Sequence, residues 1–265
     1  MTTSRGVAER EPGDTQPDLP RLRPGRRRGR WAAGWLAIAC LVLAGALAAA
    51  YAVTPSVSGA AGLVRAQDAA HHVRGLPGPV PQRFAAALVA TEDHRFYSEP
   101  GIDPIAVGRV VTGALTGRAD QGGATLSVQL AKVLYTPGND GIAAKAEQAV
   151  LAVKLNQSYS KDDILRMYAD VVYFGDGYYG LAAASCGYFG ATPGALSWSQ
   201  AAVLAGLVQA PSAYDPRTHP DQARQRERHV LDRMVATGQM SRSQADSVLA
   251  APLRLISPAS AARCR

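Results

Sequence analysis

Cysteine, aromatic residues and charged residues are all scarce in this chain of 265 residues. Only three cysteines occur, Cys40, Cys186 and Cys264, and their wide separation excludes the paired spacing of a zinc site. A single disulfide between Cys186 and Cys264 fits that count, although nothing else in the sequence supports it. Aromatic residues make up 6% of the chain, charged residues 18% and hydrophobic residues 47%, which excludes wholesale disorder and predicts an alanine-rich globular domain.

Several catalytic signatures are also missing. The sequence has no HExxH, and the S-x-x-K at residues 158–161 lacks the K-T-G and S-D-N of penicillin-binding acyl enzymes. Residues 175–180 match G-x-G-x-x-G, but the acid expected about twenty residues later is Gln200. These absences count against a zinc protease, an acyl enzyme and a dinucleotide site, and we expect no organic cofactor.

Positive charge is concentrated at the N-terminus. The formal net charge is +7, and residues 1–30 carry eight arginines against four acids, which accounts for +4 of it. This segment is rich in Pro, Arg and Gly without apolar periodicity, so we predict a disordered cytoplasmic tail. The remaining +3 does not favour nucleic acid as a partner.

An uncharged run of 23 residues follows, from Trp31 to Val53. Its length predicts a transmembrane helix, and the arginines before it place the N-terminus in the cytoplasm. A cleaved signal peptide, ending among the alanines at 48–50, is the competing interpretation, but its apolar region would be unusually long. We therefore expect a single-pass type II protein of the cell membrane, with residues 54–81 as a linker and everything beyond the anchor extracytoplasmic.

The folded domain is predicted at residues 82–250, followed by a C-terminal tail at 251–265. Three serines each stand three residues before an Asp or Gln, the spacing of a capping box, at positions 160, 197 and 241. With few alternating runs, this pattern predicts a mostly α domain. Residues 222–237 are predicted to form a charged amphipathic helix that is a solvated face.

A carboxylate interrupts an apolar stripe near the start of this domain. Phe84, Leu88, Glu92 and Phe96 recur every four residues, which places them on one helix face. A buried charge is costly unless it is paired or functional, and desolvation raises a carboxyl pKa toward the range of a general base. The alternative is that Glu92 lies at the solvent boundary beside Arg95, and the stripe alone favours that alternative.

Two further features are a second carboxylate on a helix face and a glycine pair before a helix, and the glycine pair alone is a weak signal because such loops are often turns. Glu147 stands on the apolar face of a helix predicted at residues 143–157, beside Leu151 and Lys154. The pair Gly122-Gly123 directly precedes another helix, where free backbone N–H groups can seat an oxyanion.

Five ordered motifs between about residues 83 and 216 carry a family resemblance. They are Glu92-Asp93 with Phe96 and Gly101-Ile102-Asp103; Gly122-Gly123-Ala124-Thr125 with Gln129 to Lys132; Glu147; Tyr159-Ser160-Lys161 with Ile164, Leu165, Tyr168, Tyr173-Phe174-Gly175, Gly177, Tyr179 and Gly180; and Leu204 to Leu207 with Pro211-Ser212 and Tyr214-Asp215-Pro216. The chain resembles a peptidoglycan glycosyltransferase (transglycosylase) of glycosyltransferase family 51, in its monofunctional, membrane-anchored form.

The chain also departs from that pattern. The family usually carries His at position 99, Ser and Gln at 124 and 128, two basic residues at 143 and 144, Asn at 170 and Glu at 200; here these are Glu99, Ala124, Val128, Ala143, Ala144, Asp170 and Gln200. These losses weaken phosphate binding and leave a catalytically weakened scaffold that binds lipid II as a rival hypothesis. Both glutamates are kept, so the enzyme prediction stands.

The resemblance implies a lysozyme-like, two-lobed α fold and a reaction in which lipid II is polymerised into β-1,4-linked glycan with release of polyprenyl pyrophosphate. Its implied partners are lipid II, the growing lipid-linked strand, the membrane and a separate transpeptidase. A glycan-cleaving, lysozyme-like enzyme is the nearest rival, because two carboxylates also serve glycosidases.

The resemblance also implies residue roles. Glu92 is the general base, and Glu147 holds a divalent cation, Mg²⁺ or Mn²⁺, or orients a lysine near the pyrophosphate. Asp93 pairs with Arg95, accepts a backbone N–H or orients Glu92. The expected substrate and pyrophosphate contacts are Gly122, Gly123, Thr125, Gln129, Lys132 and Lys145, and the expected supporting residues are Asp93, Phe96, Tyr173, Phe174 and Gly175.

Overall fold

The computed structural model describes residues 26–103, 105, 124–261 and 264, with side chains from Trp35 onward except that of Leu36. The predictions for residues 1–25 and for Gly122 and Gly123 lie outside these residues. The chain divides into two units, Met1–Ala49 and Ala50–Arg265. The domain limits at 30/31, 53/54, 81/82 and 250/251 stay predictions.

Helices form nearly all of the regular structure in the described residues. In chain order they are α1 (Arg26–Val53), α2 (Ala60–Ala70), α3 (Gln82–Glu92), α4 (Leu126–Tyr135), α5 (Ile142–Ser158), α6 (Lys161–Val171), α7 (Gly180–Phe189), a 3-10 turn (Pro193–Ala195), α8 (Trp198–Leu207), α9 (Pro220–Ala236), α10 (Arg242–Ala250) and α11 (Pro258–Ala261). The β pairing described is one isolated bridge between Tyr173 and Tyr179. The mostly α class is confirmed, and the two-lobed, lysozyme-like arrangement stays a prediction.

Helix α1 contains the uncharged run at residues 31–53 and extends it back to Arg26. Large apolar side chains along it, such as Trp35 and Leu41, are exposed. Within the ranges that the structure describes, however, no helix is both long and apolar enough to cross a membrane. The helix is confirmed, and the transmembrane span is not.

Residues 54–81, predicted as a linker, contribute to the hydrophobic core. Val57, Val64 and Leu76 are buried in the same cluster as the domain helices. Lys154 of α5 is also buried, and its Nζ donates to the carbonyl oxygens of Thr54 at 2.8 Å and Pro55 at 3.2 Å. This lysine therefore anchors the backbone that follows α1.

Two groups of helices pack within the second unit. Helix α3 packs against α8 and α9, and these two also pack against each other. Helix α4 packs against α5 and α6. The apolar stripe explains the first group, because Phe84 and Leu88 are fully buried on α3. Helix α3 ends at Glu92, so the prediction that Phe96 continues the same helix face is wrong, although Phe96 is fully buried.

All three predicted capping boxes form. The side chains of Ser160, Ser197 and Ser241 each accept the backbone N–H three residues on and start α6, α8 and α10. Ser160 is thus a helix cap, as the capping-box spacing predicted.

The glycine-rich segment at 175–180 is a tight turn. The N–H of Phe174 donates to the carbonyl oxygen of Tyr178, and the N–H of Gly180 donates to that of Val172. Gly180 has φ +77°, and a Cβ there would lie 2.5 Å from the carbonyl oxygen of Asp170. The glycines serve backbone geometry, in agreement with the rejection of a dinucleotide site.

The prediction that residues 222–237 form only a solvated face is wrong. Helix α9 buries Ala223, Glu227, Val230, Leu231 and Met234. Glu227 accepts hydrogen bonds from Ser199 and Arg224, which explains how a charged residue can occupy the buried face.

The C-terminal segment is attached to α7. Cys186 and Cys264 form a disulfide across 78 residues, the pairing that the cysteine count allowed. The N–H of Ile256 also donates to the carbonyl oxygen of Tyr188 at 2.9 Å. Arg224 Nη2 donates to the carbonyl oxygen of Ala251 at 2.7 Å as well, so the predicted tail at 251–265 is fastened to the domain.

Candidate active site

Glu92 lies at the C-terminal end of α3, and its side chain is only 14% exposed. Its Oε1 accepts a hydrogen bond from Arg226 Nη2 at 3.0 Å, and its Oε2 accepts one from Gln129 Nε2 at 3.3 Å. Arg95 forms an ion pair with Asp103 instead. The alternative of a solvent-boundary Glu92 beside Arg95 is therefore wrong.

The environment of Glu92 adjusts its pKa in two directions. Burial is the largest effect and raises the pKa, because it disfavours the charged carboxylate. The charge of Arg226 and the hydrogen bond from Gln129 lower it, while the nearby Asp93 raises it. The net pKa lies above the usual 4.5, which is the direction that suits a general base.

Gln129 is held between Glu92 and a buried tyrosine. The hydroxyl of Tyr168 donates to Gln129 Oε1 at 2.7 Å, while Gln129 Nε2 also donates to the carbonyl oxygen of Ala124 at 3.1 Å. Burial raises the pKa of Tyr168, and the charge of Glu92 adds to this, so the hydroxyl keeps its proton. Gln129, predicted as a substrate contact, orients Glu92 in this arrangement.

Asp93 adopts the second of its three predicted roles. It is buried and its Oδ2 accepts the backbone N–H of Leu126 at 3.0 Å, which joins the end of α3 to the start of α4. Burial raises its pKa, and the Leu126 bond followed by the charge of Lys161 lowers it. No ion pair with Arg95 forms among the described contacts.

Thr125 is the N-cap of α4. Its Oγ1 accepts from the N–H of Val128 at 3.2 Å and donates to the carbonyl oxygen of Gly101 at 2.7 Å. The residue is 5% exposed. Direct contact between the Thr125 hydroxyl proton and a pyrophosphate would break the bond to Gly101, so in this arrangement Thr125 caps α4 and joins its start to Gly101.

Two predicted phosphate contacts, Lys132 and Lys145, lie near one exposed acid. Lys132 Nζ is 2.5 Å from Asp140 Oδ1, and both side chains are well exposed. The hydrogen bond and charge of Lys132 lower the pKa of Asp140, with a further contribution from Lys145. An exposed ion pair of this kind is weak, so another anion can replace Asp140 beside Lys132.

Glu147 is half-buried on α5, between the buried Ala144 and Leu151. It makes no hydrogen bond or ion pair with another described residue. The described part of the chain also contains no group of three or more His, Cys, Asp or Glu side chains arranged to hold a metal ion. Helix α4 connects the two carboxylates indirectly, because it carries Gln129 and packs against α5.

The predicted supporting residues divide into core and surface. Phe96 and Phe174 are fully buried, and the Phe174 ring packs against Phe84 at 6.0 Å. Gly175 is buried in the turn with φ +85°, whereas Tyr173 is 37% exposed. Of this set, Tyr173 is the side chain that can reach a ligand at the surface.

Sequence reasoning missed Arg226 as a partner of Glu92. The available signal was the spacing of Ala223, Val230 and Met234, which marks one buried face of α9 and places position 226 beside it. Glu227 interrupts this apolar pattern, and its charge favoured the interpretation of the helix as a solvated face.

Comparisons with known proteins match this sequence to a family. Residues 64–235, well over half of the chain, match the family model described as Transglycosylase. The chain belongs to the transglycosylase family. This confirms the predicted membership in glycosyltransferase family 51 and the expectation of a peptidoglycan glycosyltransferase enzyme.

Relatives of this transglycosylase differ in how much they share with it. It is 35% identical to "Putative transglycosylase H16_A0665" of Cupriavidus necator, covering 85% of this chain and 98% of that protein. It is 38% identical to Penicillin-binding protein 1A of Aquifex aeolicus, covering 66% of this chain but 24% of that protein. The crystal structure of Penicillin-Binding Protein 1A from Haemophilus influenzae aligns with 69% of this chain and 18% of that chain, with a TM-score of 0.40 and 21% identity.

Proposed function

We propose that this transglycosylase polymerises lipid II into β-1,4-linked glycan and releases polyprenyl pyrophosphate. In this reaction the 4-hydroxyl of a lipid II GlcNAc attacks C1 of the MurNAc at the end of the growing lipid-linked strand, with inversion. One observation carries the proposal: the half-buried carboxylate of Glu92 is held in place by Arg226 and Gln129. The family supplies the reaction class, and this site supplies the group that can perform the proton transfer.

Glu92 acts as the general base. An alcohol is a weak nucleophile at neutral pH, and a positioned base typically contributes ~10²–10⁴-fold to the rate. Burial raises the pKa of Glu92 and strengthens it as a proton acceptor, while Arg226 keeps enough of it ionised to accept. Gln129, fixed by the Tyr168 hydroxyl, holds Oε2 in one orientation.

The pyrophosphate leaving group requires positive charge. As the bond to C1 breaks, negative charge grows on the departing oxygens and must be stabilised. Lys132 and Lys145 provide this charge, with the Gly122-Gly123 backbone as a further donor. Because the ion pair between Lys132 and Asp140 is exposed, a pyrophosphate can replace the carboxylate at low cost.

A divalent cation is compatible with Glu147. Mg²⁺ is often held by one or two carboxylates together with substrate phosphates, so a single glutamate with no other described partner fits this binding mode. A bound ion would neutralise charge on the leaving group. A Glu147→Gln variant is expected to lose most activity and to recover part of it at high Mg²⁺, whereas indifference to both EDTA and Mg²⁺ would exclude this role.

We also propose an extracytoplasmic location at the cell membrane, with a separate transpeptidase to cross-link the product. The disulfide between Cys186 and Cys264 supports the compartment, because disulfides persist in oxidising environments and are rare in the cytosol. Protease protection in intact cells tests the single-pass type II arrangement. Digestion of the domain from outside supports it, and full protection contradicts it.

An in vitro assay with purified lipid II, with and without Mg²⁺, tests the function. Long glycan strands are the expected product. Binding of lipid II without turnover would support the weakened scaffold, and solubilised fragments from purified sacculi would support the glycan-cleaving enzyme.

A further inference from the structure

Glu99 is a buried acid whose side chain is 2% exposed. Within the part of the chain that the structure describes, neither of its carboxylate oxygens has a hydrogen-bonding partner. It lies in the segment at residues 93–103, called here the 93–103 loop, which follows directly after Glu92. Burying a charge in this way costs free energy, and a group retained at such a cost is a candidate for function.

The nearest opposite charge comes from another helix. Lys161, the first residue of α6, places its Nζ 3.8 Å from Glu99 Oε1 and 4.6 Å from the centre of the Phe96 ring. Both contacts belong to the 93–103 loop. Lys161 Nζ is itself buried, and it has no hydrogen-bonding partner among the described residues. Its ion pair with Glu99 therefore links the loop to α6.

The charged groups around this contact do not balance. Asp93 and Asp103 face Glu99 from the same loop, and their positive counterparts are Lys161 and Arg95. When all five are ionised, three carboxylates face two cations. Neutralising Glu99 would therefore remove the excess negative charge.

This contact joins the elements that hold Glu92. Helix α6 carries Tyr168, whose hydroxyl fixes Gln129 against Glu92. Asp93 ties the start of the 93–103 loop to α4, which carries Gln129. The contact between Glu99 and Lys161 ties the other part of that loop to α6. Two hydrogen bonds add to it, from the Tyr97 hydroxyl to Asp162 Oδ1 at 3.3 Å and from Thr125 Oγ1 to the carbonyl oxygen of Gly101 at 2.7 Å.

We propose that Glu99 and Lys161 are positioning residues that fix the 93–103 loop on α6 and thereby hold Glu92 in its working geometry. The proposal rests on the proposed glycosyl transfer for its effect on activity.

The pH behaviour follows from burial. Burial raises the pKa of Glu99 from 4.5 to about 7, Asp93 adds to the rise, and Lys161 opposes it. A group whose folded pKa is raised contributes stability that is present below its unfolded pKa and is lost as pH rises through the folded value. The ionised Glu99 thus costs stability above pH ~7, and Glu99→Gln should relieve that cost while it weakens the hold on Lys161.

The test compares Glu99→Gln, Lys161→Met and the double variant in lipid II polymerisation, with thermal unfolding at pH 5.5 and pH 8. We expect kcat to fall about tenfold to a hundredfold in each single variant, because misplaced catalytic groups lose rate steeply. The double variant should lose no more kcat than the worse single variant, as expected for two residues acting as a unit.

At pH 8 the Tm of Glu99→Gln should equal or exceed that of the wild type. Asp221→Asn, at an exposed acid in the first turn of α9, is the control and should keep normal kcat.

Three results would overturn the proposal: wild-type kcat in either single variant, additive losses in the double variant, or a fall in the Tm of Glu99→Gln at pH 8. If the wild-type chain makes no polymer, the proposed function fails, and amide hydrogen exchange then decides the positioning role. Faster exchange across residues 93–103 and at Leu126 in Glu99→Gln, with Tm retained, supports it. Unchanged exchange contradicts it.

Discussion

Arg226 and Glu92 are 134 residues apart in the chain and form a 3.0 Å ion pair whose side chains are 10% and 14% exposed. Arg226 lies on α9, outside the sequence motifs that carry the family resemblance. It counteracts the burial of Glu92, because burial favours the neutral acid and the guanidinium favours the carboxylate. The balance between these two effects sets the pH at which Glu92 can accept a proton.

Replacing Arg226 by Gln should move the acid limb of the pH–rate profile to higher pH. Arg226 lowers the pKa of Glu92, so its loss raises that pKa further and leaves less carboxylate at neutral pH. The profile of kcat/KM for lipid II measures this shift. Arg228→Gln, on the exposed side of the same helix, is the matched control. An unmoved acid limb in Arg226→Gln would show that the pair does not control the base.

Tyr168→Phe should lower kcat about tenfold to a hundredfold and leave KM nearly unchanged, because it removes the hydroxyl that orients Gln129 without changing the packed ring. Steady-state kinetics with lipid II provides the measurement. Tyr135→Phe is a suitable comparison, since that buried hydroxyl has no hydrogen-bonding partner. Equal effects in the two variants would contradict a specific role for Tyr168.

Asp170→Asn should stabilise the protein at neutral pH. Oδ2 atoms of Asp68 and Asp170 lie 3.1 and 3.2 Å from the position a Cβ would take on Gly75, so two acids crowd one glycine. Burial raises the pKa of Asp170 from 3.8 to about 6, opposed by the N–H of Leu76 and reinforced by Asp68. Stability present below pH 3.8 is therefore lost as pH rises through 6.

The asparagine keeps an acceptor for Leu76 and offers its amide to Asp68. We expect a gain of roughly 1–2 kcal/mol in the free energy of unfolding at pH 7.5, reduced for partial solvent screening. Urea unfolding at pH 7.5 and pH 4 measures it, and the gain should shrink at the lower pH. A gain of equal size at both values would rule out titration of Asp170 as its cause.

Removing the disulfide should destabilise the domain. Cys186 and Cys264 close a loop of 78 residues, and loss of a native bridge of this kind costs about 2–5 kcal/mol. The double variant Cys186→Ser and Cys264→Ser should melt at lower temperature, and a reductant should lower the Tm of the wild type but not that of the variant. Identical melting curves for wild type and variant would show that the disulfide does not stabilise the domain.

The sequence predicted the helical class and the local helix starts well. Capping depends on residues three positions apart, so Ser160, Ser197 and Ser241 could be identified from neighbours alone. The stripe of Phe84 and Leu88 likewise predicted the buried face of α3. The buried face of α9 was missed because Glu227 is compensated by Ser199, which lies on a different helix.

The site was only partly predictable. Motif spacing identified Glu92, Asp93 and Gln129, but it gave no sign that Gln129 donates to Glu92. The substrate contact of Gln129 stays a prediction. Long-range pairs such as Arg226 with Glu92 leave no local pattern, because neither residue type nor spacing records which helices meet. Glu99 was noted as a departure from the family, but its pairing with Lys161 depends on how the 93–103 loop folds.

The most direct measurement is lipid II polymerisation by Glu92→Gln, with Glu92→Asp measured in parallel. Glutamine keeps the size of the side chain and can still accept from Arg226, so the fold and Tm should be retained. The rate should fall by ~10²–10⁴-fold, because no base remains at that position. Glycan synthesis at a near-normal rate by a folded Glu92→Gln protein would contradict the account.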